Sequence, residues 1–195
     1  KNTKIIPLLV NAQDQTKLEA IFDIFNVDTV YHAAAYKHVS LVEENICEGV
    51  KNNVFSTSAV SKASIKKKVK TLVLISSDKA VRPTNMMGAS KRLAELCVQG
   101  IYNDSKSINT HFSIVRFGNV LESSGSVIPI FKRNISYGQK IQITHPDIKR
   151  FFMSIEEACF LVLQSVLHTK SCQMYMLDMG EEILIEEIAK KLIIL

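Results

Sequence analysis

One segment constrains the fold more than any other. An uncharged run, Thr71-Leu72-Val73-Leu74-Ile75, leads into Ser76-Ser77-Asp78-Lys79-Ala80-Val81-Arg82-Pro83-Thr84-Asn85, and then into a long amphipathic stretch over 89–102. The first part has the length and composition of a buried strand, and the last has the periodicity of a helix. Hydroxyl, carboxyl and amine side chains therefore lie at the C-terminal end of a strand, where ligands bind in open α/β sheets. Ser77 offers a hydroxyl to a substrate, and Asp78 and Lys79 set an acid beside a base. Lys91 follows Met87 by one helical turn and shares its face. Spacing alone leaves two readings open, a reactive site or a surface turn with solvated charges.

The rest of the chain repeats the same alternation. Strands are predicted over 4–10, 28–32, 111–117 and 174–178, with a shorter one over 141–144. Helices are predicted over 17–25 with Asp14 as cap, from the Ser40/Glu43 capping box through 50–54, and over 126–138 with Pro129 in the first turn. Two more follow, from the Ser154/Glu157 box through 167 and over 186–195. Strands alternating with helices make this an α/β chain with a Rossmann-like, doubly wound parallel sheet. Its 195 residues, 47% hydrophobic, suit one domain or slightly more.

Composition narrows the function classes. The net charge of +5 is modest, and its densest part, Lys66-Lys67-Lys68 with Lys70, reads either as a helix end favourable to cations or as a nucleic-acid patch. No aromatic-basic module accompanies it, so no nucleic-acid partner is expected. The 4 cysteines form no Cys-x-x-Cys pair and read as buried small hydrophobes in a reducing compartment. The 5 histidines lack ligand spacing, so no metal is expected. No run approaches the roughly 18 apolar residues of a membrane span, and no signal peptide is visible. The expected location is cytoplasmic.

The segment Ser76–Arg92, with Met87-Gly88-Ala89-Ser90-Lys91-Arg92 at its end, resembles the active-site segment of the extended short-chain dehydrogenase/reductases. More narrowly, it resembles the nucleotide-sugar 4,6-dehydratases of capsule, O-antigen and protein-glycan biosynthesis, which act on UDP-N-acetylglucosamine. His32-Ala33-Ala34-Ala35-Tyr36-Lys37-His38-Val39, Val115-Arg116-Phe117-Gly118-Asn119-Val120 and Lys149-Arg150-Phe151-Phe152-Met153 match in order and spacing. The resemblance covers nearly the whole chain.

The resemblance implies NAD, or NADP, as cofactor and a UDP-sugar as substrate. Asn11 would read the adenine edge, although Asn11-Ala12-Gln13-Asp14 also reads as a helix cap. Ala33, Ala34 and Ala35 would let the backbone approach the cofactor, Asn53 would bridge strand and site, and Lys91 would hold the nicotinamide ribose. Lys37 and Asn119 would face the sugar. Ser126 and Val127 would open a helix toward the diphosphate, and Arg150 would clamp the phosphates. Lys79 would take the C5 proton, Asp78 would protonate the departing C6 hydroxyl, and Ser77 would orient the sugar. That chemistry needs a neutral Lys79, favoured by burial near Lys91, and a protonated Asp78, favoured by a dry site.

Three positions depart from the family pattern. Met87 stands where most members carry tyrosine, as in a methionine-containing subgroup, and leaves the C4 hydroxyl proton to Asp78, Lys79 or water. Ser56 and Glu122 stand where glycine is usual, and a carboxylate at Glu122 would crowd the diphosphate.

No glycine-rich phosphate loop occurs among the 7 glycines. By resemblance, the first strands and that loop would precede Lys1, making this a fragment that binds NAD poorly alone and exposes strand edges. The expected organisation is a partial NAD-binding domain over 1–118, with the catalytic segment at 76–92. A mixed sheet with part of a small nucleotide-sugar-binding region follows over 119–195. The full-length parent would be a homo-oligomer, and membrane helices upstream would anchor it. A nucleotide-sugar 4-epimerase or reductase and a non-catalytic nucleotide-binding remnant are the alternative readings.

Overall fold

The computed structural model describes residues 3–105, 109–123, 126–143 and 145–194. In chain order it contains α1 (Gln15–Ile24), β1 (Thr29–His32), α2 (Val39–Glu44), α3 (Ile46–Val50), a π-helical segment (Lys51–Phe55), α4 (Ser56–Lys66) and β2 (Thr71–Ile75). A 3-10 turn (Asp78–Ala80), α5 (Met86–Asp104), β3 (His111–Arg116), β4 (Asn119–Val120) and α6 (Val127–Ser136) come next. The chain ends with β5 (Lys149–Arg150), β6 (Phe152–Met153), α7 (Ile155–His168), β7 (Cys172–Met176), β8 (Ile183–Leu184) and α8 (Ile185–Ile194).

The apolar runs pair side by side as the parallel sheet β1-β2-β3-β7. Alternation along β2 divides its side chains between two faces. Leu72 and Leu74 pack with Val60, Ala94, Val98, Phe112 and Ile114 beneath α4 and α5. Val73 joins Val115, Ala158, Val162 and Leu177 beneath α7. Both faces of the central strands are covered, so these strands are apolar throughout rather than alternating. On the α4 side, Phe22 of α1 closes a smaller cluster with Ala63 and Val69.

The predicted caps at Asp14 and Ser154 form, accepting hydrogen bonds from the Lys17 and Glu157 amides at 3.0 Å. Beyond β3 the layout is finer-grained. β4 pairs with β6 in parallel and β5 with β8 antiparallel. α6 and α8 enclose Phe131, Ile185 and Ala189.

Several expectations fail for identifiable reasons. Residues 4–10 form no strand: no strand among the described residues hydrogen-bonds to them, and Ile5 and Leu9 are exposed. The usual strand order places two strands between this stretch and β1, so β1 offers it no ladder. Residues 141–143 are irregular, and Thr144 lies outside the described residues. The Ser40/Glu43 box is not made: α2 starts after His38 without a side-chain cap, and Glu43 accepts from the Met86 amide at 2.5 Å instead. Cys47 and Cys159 are exposed and Cys97 and Cys172 half-buried; Cys172 packs against the main core but lies on β7, at the edge of the sheet. The basic run caps α4 and is largely paired: Lys66 with Glu19, Lys67 with Asp23, and Lys70 with Asp28. Among the described residues, no helix is long and apolar enough to cross a membrane.

Candidate active site

The C-terminal ends of β1, β2 and β3 open into one cleft of about 480 Å³. Its wall along β1 is Ala33 and Ala35, followed by Tyr36, Lys37 and His38. Ser77, Lys79, Met87 and Lys91 form the middle, and Gly118, Asn119, Val120 and Ser126 close the far side. The strand-to-helix turn therefore lies where its sequence predicts, with Met87 and Lys91 in line on α5.

The reactive pair is held from three directions. Lys79 Nζ donates to Asp78 Oδ1 at 3.0 Å and to Asn119 Oδ1 at 3.2 Å. The Ser77 hydroxyl donates to the same Asp78 oxygen at 2.9 Å and accepts from the Lys79 amide at 3.2 Å. Asp78 and Lys79 are about a third exposed, so the pair is an ion pair at a wetted rim rather than a dry couple. Asn119 reaches the amine, a role its sequence position did not announce.

Backbone proximity explains two glycines here. A Cβ on Gly88 would meet the Lys79 carbonyl oxygen at 2.3 Å, so α5 starts hard against the 3-10 turn. A Cβ on Gly118 would meet Asp78 Oδ2 at 3.3 Å and narrow the cleft beside the carboxylate.

Lys91 is buried and donates to the Ile75 carbonyl at 2.6 Å. Burial pulls its pKa down to about 8, against the pull of Glu95. Asn53 lies behind the wall. Its carboxamide accepts from the Tyr36 amide at 2.7 Å and donates to the Tyr36 carbonyl at 3.1 Å and to Ser90 at 2.9 Å. It thus ties the cleft's rim to α5. The serine at position 56 is buried and turns its hydroxyl back to the Asn52 carbonyl.

His32 is the titratable group behind this wall. Thr57 gives its hydroxyl hydrogen to the Asn53 carbonyl at 2.7 Å, so it accepts from His32 Nε2 at 3.1 Å, which fixes the imidazole proton on Nε2. Burial, reinforced by the Lys91 charge, lowers the His32 pKa from 6.5 to about 4. The folded chain therefore binds fewer protons than the unfolded chain across that interval. Stability from this group is complete above about pH 6.5 and is lost as pH falls toward about 4. Unfolding free energies from urea titrations should decline as pH falls from about 6.5 toward about 4, with a component that approaches about 1.4 kcal/mol per pH unit between those values, and His32→Gln should flatten it.

Other predicted residues do not join the cleft. Asn11 is exposed and accepts from the Gln13 amide at 3.0 Å, a local turn that occupies its side chain. Ala34 is exposed beside the two lining alanines, and Val127 sits in the first turn of α6 behind Ser126. Arg150 is exposed on β5 and donates to the Lys149 carbonyl at 2.8 Å, outside the cleft lining. Glu122 pairs with Lys132 at 2.5 Å, which offsets its charge. Sequence reasoning missed Glu95, a fully buried carboxylate on α5 bonded to Ser76, Arg92 and Arg116. Its signal was an acid on the apolar face of an amphipathic helix.

The family model described as polysaccharide biosynthesis protein matches residues 1–195. The capsular polysaccharide biosynthesis protein CapD of Staphylococcus aureus is 43% identical over 190 residues, 97% of this chain and 31% of that protein. An inverting UDP-N-acetylglucosamine 4,6-dehydratase of Campylobacter jejuni is 36% identical over 80% of this chain and 46% of its own length. UDP-glucose 4-epimerases of Rickettsia are also relatives. The crystal structure of Pen from Bacillus thuringiensis superposes with a TM-score of 0.90 at 36% identity, covering 95% of this chain and 58% of that one. The chain thus spans about a third of CapD and has the Rossmann-type α/β fold of the short-chain dehydrogenase/reductases. Matched along its whole length, it belongs to the family of polysaccharide biosynthesis proteins.

Proposed function

We propose that this chain carries the catalytic segment of an NAD-dependent nucleotide-sugar dehydratase. The substrate is UDP-N-acetylglucosamine and the product a UDP-4-keto-6-deoxy sugar for surface polysaccharide or glycan synthesis. The observation that carries this reading is the Asp78–Lys79 contact at 3.0 Å, steadied by Asn119: Lys79 and Asn119 line the cleft with Ser77, Met87 and Lys91, and Asp78 is bonded to Lys79 from outside that lining. Loss of water across C5 and C6 needs an adjoining base and acid, whereas epimerisation at C4 moves no proton at C5 and expels no C6 hydroxyl. Residues up to 118 would form part of the cofactor-binding unit, and residues from 119 part of the sugar-nucleotide unit.

The residues present fit the cofactor. Lys91 brings a buried amine to the cleft beside a wall of small alanines that leaves backbone within reach. NAD, when bound, would take the hydride from sugar C4, which makes the C5 proton acidic, and would return it to C6 once water has left, while the proton held by Lys79 goes back to C5. Lys91 would hold the nicotinamide ribose. Bound sugar and cofactor, by excluding water from this rim, would favour transfer of a proton from Lys79 to Asp78, which leaves a free amine beside a carboxylic acid. Lys79 then takes the C5 proton, and Asp78 delivers its own to the departing C6 hydroxyl, which leaves as water. Ser77 orients the sugar. The Met87 thioether neither gives nor takes a proton, so the C4 hydroxyl proton passes to the Asp78–Lys79 pair or to water.

Among the described residues, the Ser126 hydroxyl has its oxygen buried and lacks a partner. A substrate oxygen at the start of α6 would satisfy it, and Lys37 faces the same space. Incubating the protein that carries this chain with NAD and UDP-N-acetylglucosamine should give a product lighter by one water. A 4-epimer of unchanged mass would overturn the reading in favour of epimerisation, the activity named for the Rickettsia relatives.

A further inference from the structure

Glu95 makes four contacts from a side chain with no exposed surface. Its Oε1 accepts from the Ser76 hydroxyl at 2.6 Å and from Arg116 Nε at 2.7 Å. Its Oε2 accepts from Arg116 Nη2 at 2.5 Å and from Arg92 Nη1 at 2.9 Å. A carboxylate has about four lone-pair positions, and all are taken.

The partners matter as much as the number. Ser76 is the residue before Ser77-Asp78-Lys79, at the end of β2. Arg116 ends β3, just before the turn that presents Asn119. The backbones of these two strand ends are bonded to each other, Ser76 to Val115 at 2.7 Å and Asp78 to Phe117 at 3.0 Å. Glu95 itself continues the row Met87, Lys91, Glu95 along one face of α5, each a turn apart.

We propose that Glu95 is a positioning residue of this site: its carboxylate clamps the strand ends bearing Ser77, Asp78, Lys79 and Asn119 onto the helix face bearing Met87 and Lys91. The proposal rests on reading the cleft as the dehydration site. The clamp has an electrostatic consequence. Lys91 is one turn from Glu95, with His32 on β1 and the Asp78–Lys79 pair beyond β2 as the other charged or titratable neighbours, while Arg92 and Arg116 offset Glu95 from α5 and β3. Glu95 opposes the effect of burial on Lys91 and so helps the amine remain an ammonium.

The test needs no turnover. Acylation of Lys91 in this chain by a small amine-reactive ester, followed across pH by peptide mass spectrometry, reports its protonation. Glu95→Gln keeps the shape, removes the charge, and should shift the Lys91 profile to lower pH. Arg92→Gln, at a half-exposed position and with the Arg116 fork still on the carboxylate, leaves Glu95 less compensated and should shift the profile to higher pH. Ser76→Ala releases only the β2 end, and amide exchange over 77–79 should accelerate about tenfold while α5 is unaffected.

Opposite shifts for the two charge variants, with the local acceleration, are what the clamp requires. If Glu95→Gln fails to fold, the sign of the Arg92→Gln shift together with Ser76→Ala decides. An unmoved Lys91 profile, or unchanged exchange at 77–79, reduces Glu95 to an ordinary buried ion pair and overturns the proposal. Absence of dehydration alongside these shifts would instead count against the proposed reaction alone.

Discussion

Alanine in place of Lys79 is expected to slow water loss from UDP-N-acetylglucosamine by about 10²–10⁴-fold, the range for removing a positioned acid–base group. It should also abolish exchange of the sugar C5 hydrogen with deuterated solvent. The two readouts separate roles that a rate alone would merge. Lys79 touches Asp78 and Asn119, and neither its backbone turn nor the cleft's alanine wall depends on the amine. The variant should therefore fold and retain its affinity for the nucleotide sugar. Exchange at C5 that persists in the variant would assign proton removal to another group, and Lys79 would be left as a partner that only orients Asp78.

Gly88→Ala should be nearly as damaging to activity while leaving every reactive group in place. Alanine is ordinarily the better helix residue by about 1 kcal/mol, so propensity predicts stabilisation. The structure predicts the reverse. The added methyl would stand 2.3 Å from the Lys79 carbonyl oxygen, a backbone atom with nowhere cheap to go. Relief requires α5 to back away from the 3-10 turn, which carries Lys91 away from Lys79. A loss of about 3 kcal/mol, the upper end for overpacking, should appear in urea denaturation, with a fall in dehydration rate beyond the loss of folded protein. A variant as stable as wild type would show that the turn has slack.

Periodicity and composition were enough for the strand–turn–helix at the centre because each of its parts is locally consistent. β2 is apolar and short, and α5 is long and amphipathic. The caps at Asp14 and Ser154 read correctly for the same reason, since donor and acceptor lie three residues apart. Long-range choices were not legible. Residues 4–10 have strand composition, yet a strand exists only against a partner. Glu43 has capping-box spacing, yet it found the Met86 amide 43 residues away. Roles at Asn53 and Lys91 came from family motifs, since neither residue type nor spacing distinguishes them from ordinary helix positions. Glu95 shows the limit most clearly. One carboxylate per turn is usual on a solvated face, and only the fold shows that this one looks inward at Ser76 and Arg116.

The widened turn over Lys51–Phe55 makes chain length itself part of the design. It carries one residue more than an ordinary helical turn needs, and the extra residue lets Asn53 reach Tyr36 and Ser90 while Thr57 still faces His32. Deleting a single residue there would restore regular winding and shift by one position, about 100° around the axis, which side chain stands at each place within the turn. Either the carboxamide or the threonine would then swing out of place. Homologues should therefore tolerate substitutions in this segment more readily than insertions or deletions.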